Sequence, residues 1–94
     1  MGSKEYQARI SRKDAEGVES VSESIFYTES LPEARAYLRD CTVDLMFSWK
    51  GSSFEIDSDG LKPEEANWIE VSFTPSGGRW QAWRFWIEEK WLPY

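Results

Sequence analysis

Apolar and polar positions alternate most regularly toward the C-terminal end of the chain. Ile69, Val71 and Phe73 alternate with Trp68, Glu70, Ser72 and Thr74, the period of two that a half-buried strand shows. Pro75 has no N–H to give a ladder, and Gly77 and Gly78 tolerate the positive φ that a reversal needs. Trp68–Leu92 is therefore expected to be an antiparallel hairpin bent at Pro75-Ser76-Gly77-Gly78. A loop of those residues would pair Thr74 with Arg79, Phe73 with Trp80 and Val71 with Ala82. The second arm supports two readings. Trp80, Trp83, Ile87 and Trp91 recur at helical spacing, so 79–91 fits an amphipathic helix. The Gly-Gly turn and the aromatic density favour a strand over Arg79–Ile87, with a last helical turn through Glu88–Trp91.

Alternation recurs near the N-terminus. Tyr6, Ala8 and Ile10 alternate with Gln7, Arg9 and Ser11, so Glu5–Arg12 is expected to be a first strand. Lys13–Gly17 turns the chain, and Val18–Thr28 returns as a second strand. Its early half, Glu19–Ser24, is polar and charged, as an exposed edge is. The period then becomes helical. Ser30-Leu31-Pro32-Glu33 combines a capping hydroxyl, a proline where its missing N–H costs nothing, and a glutamate that can reach back to the cap. Ala34, Tyr37, Leu38 and Cys41 follow on one face and predict a helix from Leu31 to about Asp40. Val43, Leu45, Phe47 and Trp49 alternate with Asp44, Met46, Ser48 and Lys50, which predicts a strand. Gly51-Ser52 turns the chain into another strand, Ser53–Asp57, with Phe54 and Ile56 inward. A polar loop over 57–67 follows, with a helical turn at 63–66. The order ββ-α-ββ-ββ defines an α+β fold, an antiparallel sheet of about five to six strands packed on a single helix in two layers.

Residues 1–94 are expected to form one domain, with residues 1–3 as a tail or an appended remnant. The single cysteine, Cys41, excludes an internal disulfide, and no apolar run approaches the roughly 18 residues of a membrane span. A reducing, cytoplasmic setting is expected. The net charge of −6 is concentrated in two blocks: residues 14–33 carry six acids and no base, and residues 55–70 carry six acids against Lys62. Such a field repels nucleic acid and steers basic partners toward the protein. Solvated acidic loops that keep a small chain soluble have the same composition.

Candidate chemistry is sparse. The chain has no histidine, so the commonest general base and metal ligand are missing, and one cysteine makes no zinc set. Cys41 falls on the apolar face of the expected helix, where a buried thiol is ordinary. Glu55, Asp57 and Asp59 with Gly60 fit part of a calcium loop, but its closing glutamate position is Ala66. That stretch reads as an acidic turn ended by Gly60. Adjacent carboxylates such as Glu64/Glu65 and Glu88/Glu89 read as solvated surface rather than as two acids facing each other across a cleft.

The tryptophans remain. Five of six lie in 68–92, and Arg79, Trp80, Trp83, Arg84, Phe85 and Trp86 mix cations with flat rings. In a strand Trp80 and Trp86 share one face, while Trp83, Phe85 and Ile87 share the other. A second aromatic face either closes on the terminus through Trp91, Pro93 and Tyr94 or is a recognition surface of the Trp- and Arg-rich kind. The expectation is a non-enzymatic module without cofactor or metal that binds another protein bearing a basic site, and neither nucleic acid nor membrane directly. Expected contact residues are Glu19, Glu23, Asp57, Asp59, Glu64, Glu65, Trp83, Arg84 and Trp86. Small acidic inhibitors and nucleic-acid mimics, of the kind used against or in defence systems, are the class-level analogy. The alternatives are a small-ligand binder with a tryptophan platform and a homodimer joined through the ribbon.

Overall fold

The computed structural model describes residues 3–22, 25–60, 62 and 65–92. Six strands and one helix follow the order β1 (Ser3–Lys13), β2 (Glu19–Val21), β3 (Phe26–Thr28), α1 (Leu31–Ser48), β4 (Phe54–Ser58), β5 (Trp68–Phe73) and β6 (Gln81–Leu92). All pairings are antiparallel, in the sheet order β2-β1-β6-β5-β4, with β3 beside β2 on the same edge of β1. The helix lies on one face, over β1, β3, β5 and β6. This is the expected two-layer α+β arrangement, with three strands on each side of the helix instead of two and four. Ser3 is already in β1 opposite Leu92, so the expected tail ends before it. Met1 and Gly2 are outside the described residues.

The hairpin forms in a different register from the one expected. Phe73 pairs with Gln81 and Val71 with Trp83, one residue beyond the anticipated partners. The connection spans residues 74–80. Within it Gly78 N–H donates to the Pro75 carbonyl at 3.0 Å, and Gly77, at φ 72°, takes the third position of a type II turn. Because side chains alternate faces, a shift of one reverses the whole strand. The anticipated register would send Arg84 and Trp86 into the core. The observed one places Trp83, Phe85 and Ile87 there, against Ile69, Val71, Ala8 and Leu38. β6 then continues as a strand to Leu92, and the helical turn expected over 88–91 does not form. Eleven consecutive pairings with β1, Ser3↔Leu92 to Lys13↔Ala82, hold it extended.

The helix is longer than expected. Ser30 caps it, accepting from Glu33 N–H at 3.3 Å. The reciprocal half of the box runs through Thr28, whose Oγ1 accepts from Ser30 N–H at 3.1 Å and donates to the Glu33 carboxylate at 3.2 Å. Beyond Asp40 the buried stripe continues at Thr42 and Leu45, in phase with Ala34 and Leu38. The expected strand over Val43–Lys50 is therefore helix to Ser48. Its alternation was coincidental, since Val43 and Phe47 lie 57% and 72% exposed on the solvent side. After Trp49, Gly51 at φ 95° turns the chain toward β4.

The expected strand over Val18–Thr28 is split. β2 ends at Val21 opposite Ser11 and β3 begins at Phe26 opposite Ala8, and Ile25 N–H donates to the Ala8 carbonyl at 2.9 Å. Ser22 follows β2 and stays tied to β1. Its N–H donates to the Ile10 carbonyl, its hydroxyl takes the Ile10 N–H at 3.1 Å, and its own carbonyl accepts from Arg9 Nε and Nη2 at 3.2 and 2.8 Å. On the helix side, Phe26 stacks on Tyr37 with centroids 4.3 Å apart.

Candidate functional site

Among the described residues the helix α1 covers one face of the sheet and no element covers the other. The register assigns the side chains of the other face, which forms rows across the strands. One row runs Asp57–Glu70–Arg84–Ser11–Val21 from β4 to β2, and the next holds Trp68, Trp86 and Arg9. On the other side lies Glu55–Ser72–Ala82–Lys13–Glu19. Trp68 and Trp86 are direct cross-strand partners, both half-buried. A groove of about 420 Å³ lies beside them, lined also by Val21, Glu19, Ser11 and Arg84.

Each ring of the pair carries a cation. The Arg84 guanidinium lies 5.1 Å from the Trp68 ring and that of Arg9 lies 5.6 Å from Trp86, within reach of the ring quadrupole. Arg9 is also bonded to the Ser22 carbonyl and, at 3.3 Å, to Glu88, which accepts from Trp86 Nε1 at 3.1 Å. The groove floor is thus held in place before anything binds. The acids Glu55, Asp57 and Glu70 occupy β4 and β5 with no base on those strands, while Arg84, Arg9 and Lys13 on β6 and β1 stand together with Glu88.

The expected contact residues separate under this geometry. Arg84 and Trp86 belong to the open face. Trp83 is on the helix side, packed against the core, with its Nε1 donating to Gln81 Oε1 at 2.7 Å and Arg12 over its ring, so it does not join them. Glu19 and Asp57 share the open face but sit on opposite edge strands, so the two acidic blocks do not merge. Asp59 serves the loop, accepting from the Asn67 and Trp68 amides at 2.7 and 3.0 Å. Burial alone would raise its pKa, but those amides and its own backbone N–H, with the Asn67 side chain, outweigh it and hold the carboxyl below its usual value. Glu65 is exposed in the adjoining turn, its N–H bonded to the Lys62 carbonyl. Glu23 and Glu64, and with Pro63 much of the helical turn expected there, fall outside the described residues.

Sequence reasoning missed Trp68, Glu70, Arg9 and Glu55 as members of this face. The signal was present: in β5 Trp68 and Glu70 occupy the polar phase opposite Ile69 and Val71, the correct register joins that phase to Arg84 and Trp86, and Arg9 in β1 and Glu55 in β4 fall on the same face. Trp80, 41% exposed, lies toward the same face at the hairpin end, where it lines a hollow of about 130 Å³ with Lys13, Glu19 and Glu70. Among the described residues no group of three or more Cys, Asp or Glu side chains is placed to hold a metal. Burial pushes the Cys41 thiol above its ordinary pKa; the hydrogen bond with Tyr37 works against the shift, and the nearby Asp44 and Asp40 carboxylates add to it. No helix among the described residues is long and apolar enough to cross a membrane. Comparison with protein-family models, curated proteins and solved structures gives no match.

Proposed function

We propose that the chain is a non-catalytic protein-binding module that uses the helix-free face of its sheet to engage a partner with a basic surface. The observation that carries this reading is the Trp68/Trp86 pair on a face that no described element covers. The fold closes its core without them, through Val71, Phe85, Leu38 and their neighbours. Tryptophan and arginine in a fixed, half-buried setting are the side chains that dominate binding hot spots. The net charge of −6 and the acids on the β4 and β5 side favour a basic partner. Inhibition of that partner by occupying its basic site is the finer form of the proposal.

A small planar or sugar-like ligand is the second reading, favoured by a groove volume within the range of ligand clefts. It is the weaker, because Arg84 and Arg9 already lie over the rings a ligand would stack on. The test is capture of binding proteins from a lysate of the source organism by the parent chain and by Trp68→Ala/Trp86→Ala, at low and high salt, with folding checked by circular dichroism. A basic protein held at low salt by the parent, released at high salt and lost by the folded variant, is the expected result. Retention indifferent to both changes overturns the proposal.

A further inference from the structure

The sheet's two edges differ. On one side of β1 the edge consists, among the described residues, of two three-residue pieces, β2 and β3. The other edge is β4, five uninterrupted residues paired to β5 on one side and to no other described strand. Its outer backbone N–H and C=O groups therefore form a template of roughly 17 Å for an added strand.

The side chains of β4 specify what that strand must be. Ile56 lies on the helix side directly opposite Val71, yet Val71 is fully buried and Ile56 is 54% exposed. The helix layer stops short of β4, and an apolar residue beside Ile56 would extend it. Glu55 and Asp57 point to the open face, next to Glu70 and with no base on β4 or β5. A strand whose residues alternate apolar on one face and basic on the other matches both faces at once. A second copy of β4 does not. Paired antiparallel about Ile56 it would set Glu55 against Asp57 twice, and paired parallel it would set each acid beside its own copy, and like charges directly opposite repel. We propose that the free edge of β4 captures an extended segment of alternating basic and apolar residues from a partner protein by strand addition. This rests on the protein-binding reading and names the form of the partner.

The probe is a short capped peptide of alternating lysine and valine, titrated into the isotope-labelled chain and followed by amide and indole NMR signals. The controls are a glutamate–valine alternation and a peptide of the same lysine and valine content in two blocks. Shifts and slowed exchange at β4 amides with the alternating basic peptide alone are expected. Glu55→Lys/Asp57→Lys, both exposed positions, should weaken that peptide by about tenfold and let the acidic alternation bind instead. Shifts confined to the Trp68 and Trp86 indoles would overturn the edge inference while leaving the open-face reading intact. No response at β4 to any of the peptides, or equal response to the blocked one, would overturn it too. Since the controls are run on the parent chain, the outcome stands even if the double variant folds poorly.

Discussion

Asp59 caps the chain where it returns into β5. Its carboxylate holds two successive amides, Asn67 and Trp68, at the point where β5 begins, and so ties the end of β4 to the start of β5. Replacement by alanine leaves those donors to water and is expected to cost about 1 kcal/mol in thermal or urea unfolding, a modest figure because the carboxylate is solvent-accessible. Asparagine should restore part of it. The pH sign follows from a folded pKa held below the ordinary 3.8. The contribution is complete above that value and is lost as pH falls through the lowered folded one, so the stability difference between parent and Asp59→Ala should shrink in acid and stay constant from pH 5 upward. Gly60 next door has a different constraint: a Cβ there would sit 2.8–2.9 Å from backbone atoms of Ala66, Glu65 and Lys62. The sequence showed Gly60 as the end of an acidic turn, but it could not show Asp59's role, because the amides it serves lie eight and nine positions away. A carboxylate that looks like a contact residue or metal ligand in one dimension becomes a structural acceptor when the chain returns to it.

Within single elements, local signals were read well until two periods competed. The cap at Ser30 and the stripe from Ala34 to Cys41 located the helix start, because capping chemistry and helical spacing are both short-range. Over 43–49 the residues satisfied a period of two as well, and only packing decided for the helix. Substitutions separate the two readings. Val43→Glu or Phe47→Glu, on the solvent side, should change stability by no more than about 0.5 kcal/mol. Leu45→Glu, which puts a carboxylate among core side chains, should unfold the protein or cost several kcal/mol in a denaturant titration. A strand over 43–49 would make all three comparably damaging. The hairpin shows the same limit. Pro75 and the glycines marked the turn, but the number of residues it consumes depends on which phase of β6 is buried, and that is set by β1 and the helix.

For the whole molecule, what matters is how the layers are distributed. β6 is paired along its length with β1 and over its first half with β5, while β2, β3 and β4 have one neighbour each. Hydrogen exchange should therefore be slowest in 82–87 and fastest in β2 and β4, measured residue by residue under native conditions. Uniform protection across the sheet would contradict this order. The two-layer class was legible because strand and helix periods count elements without needing their neighbours. The composition of the open face was not, because it joins side chains of five strands whose order in space differs from their order in the chain. The unequal edges set a limit on assembly. In the language of polymer chemistry, a sheet with two competent edges is bifunctional and grows without end. One whose second edge is divided among the described residues between the three-residue strands β2 and β3 offers a single long template, so the strand capture proposed at β4 is expected to give a one-to-one adduct with the partner rather than a chain of copies.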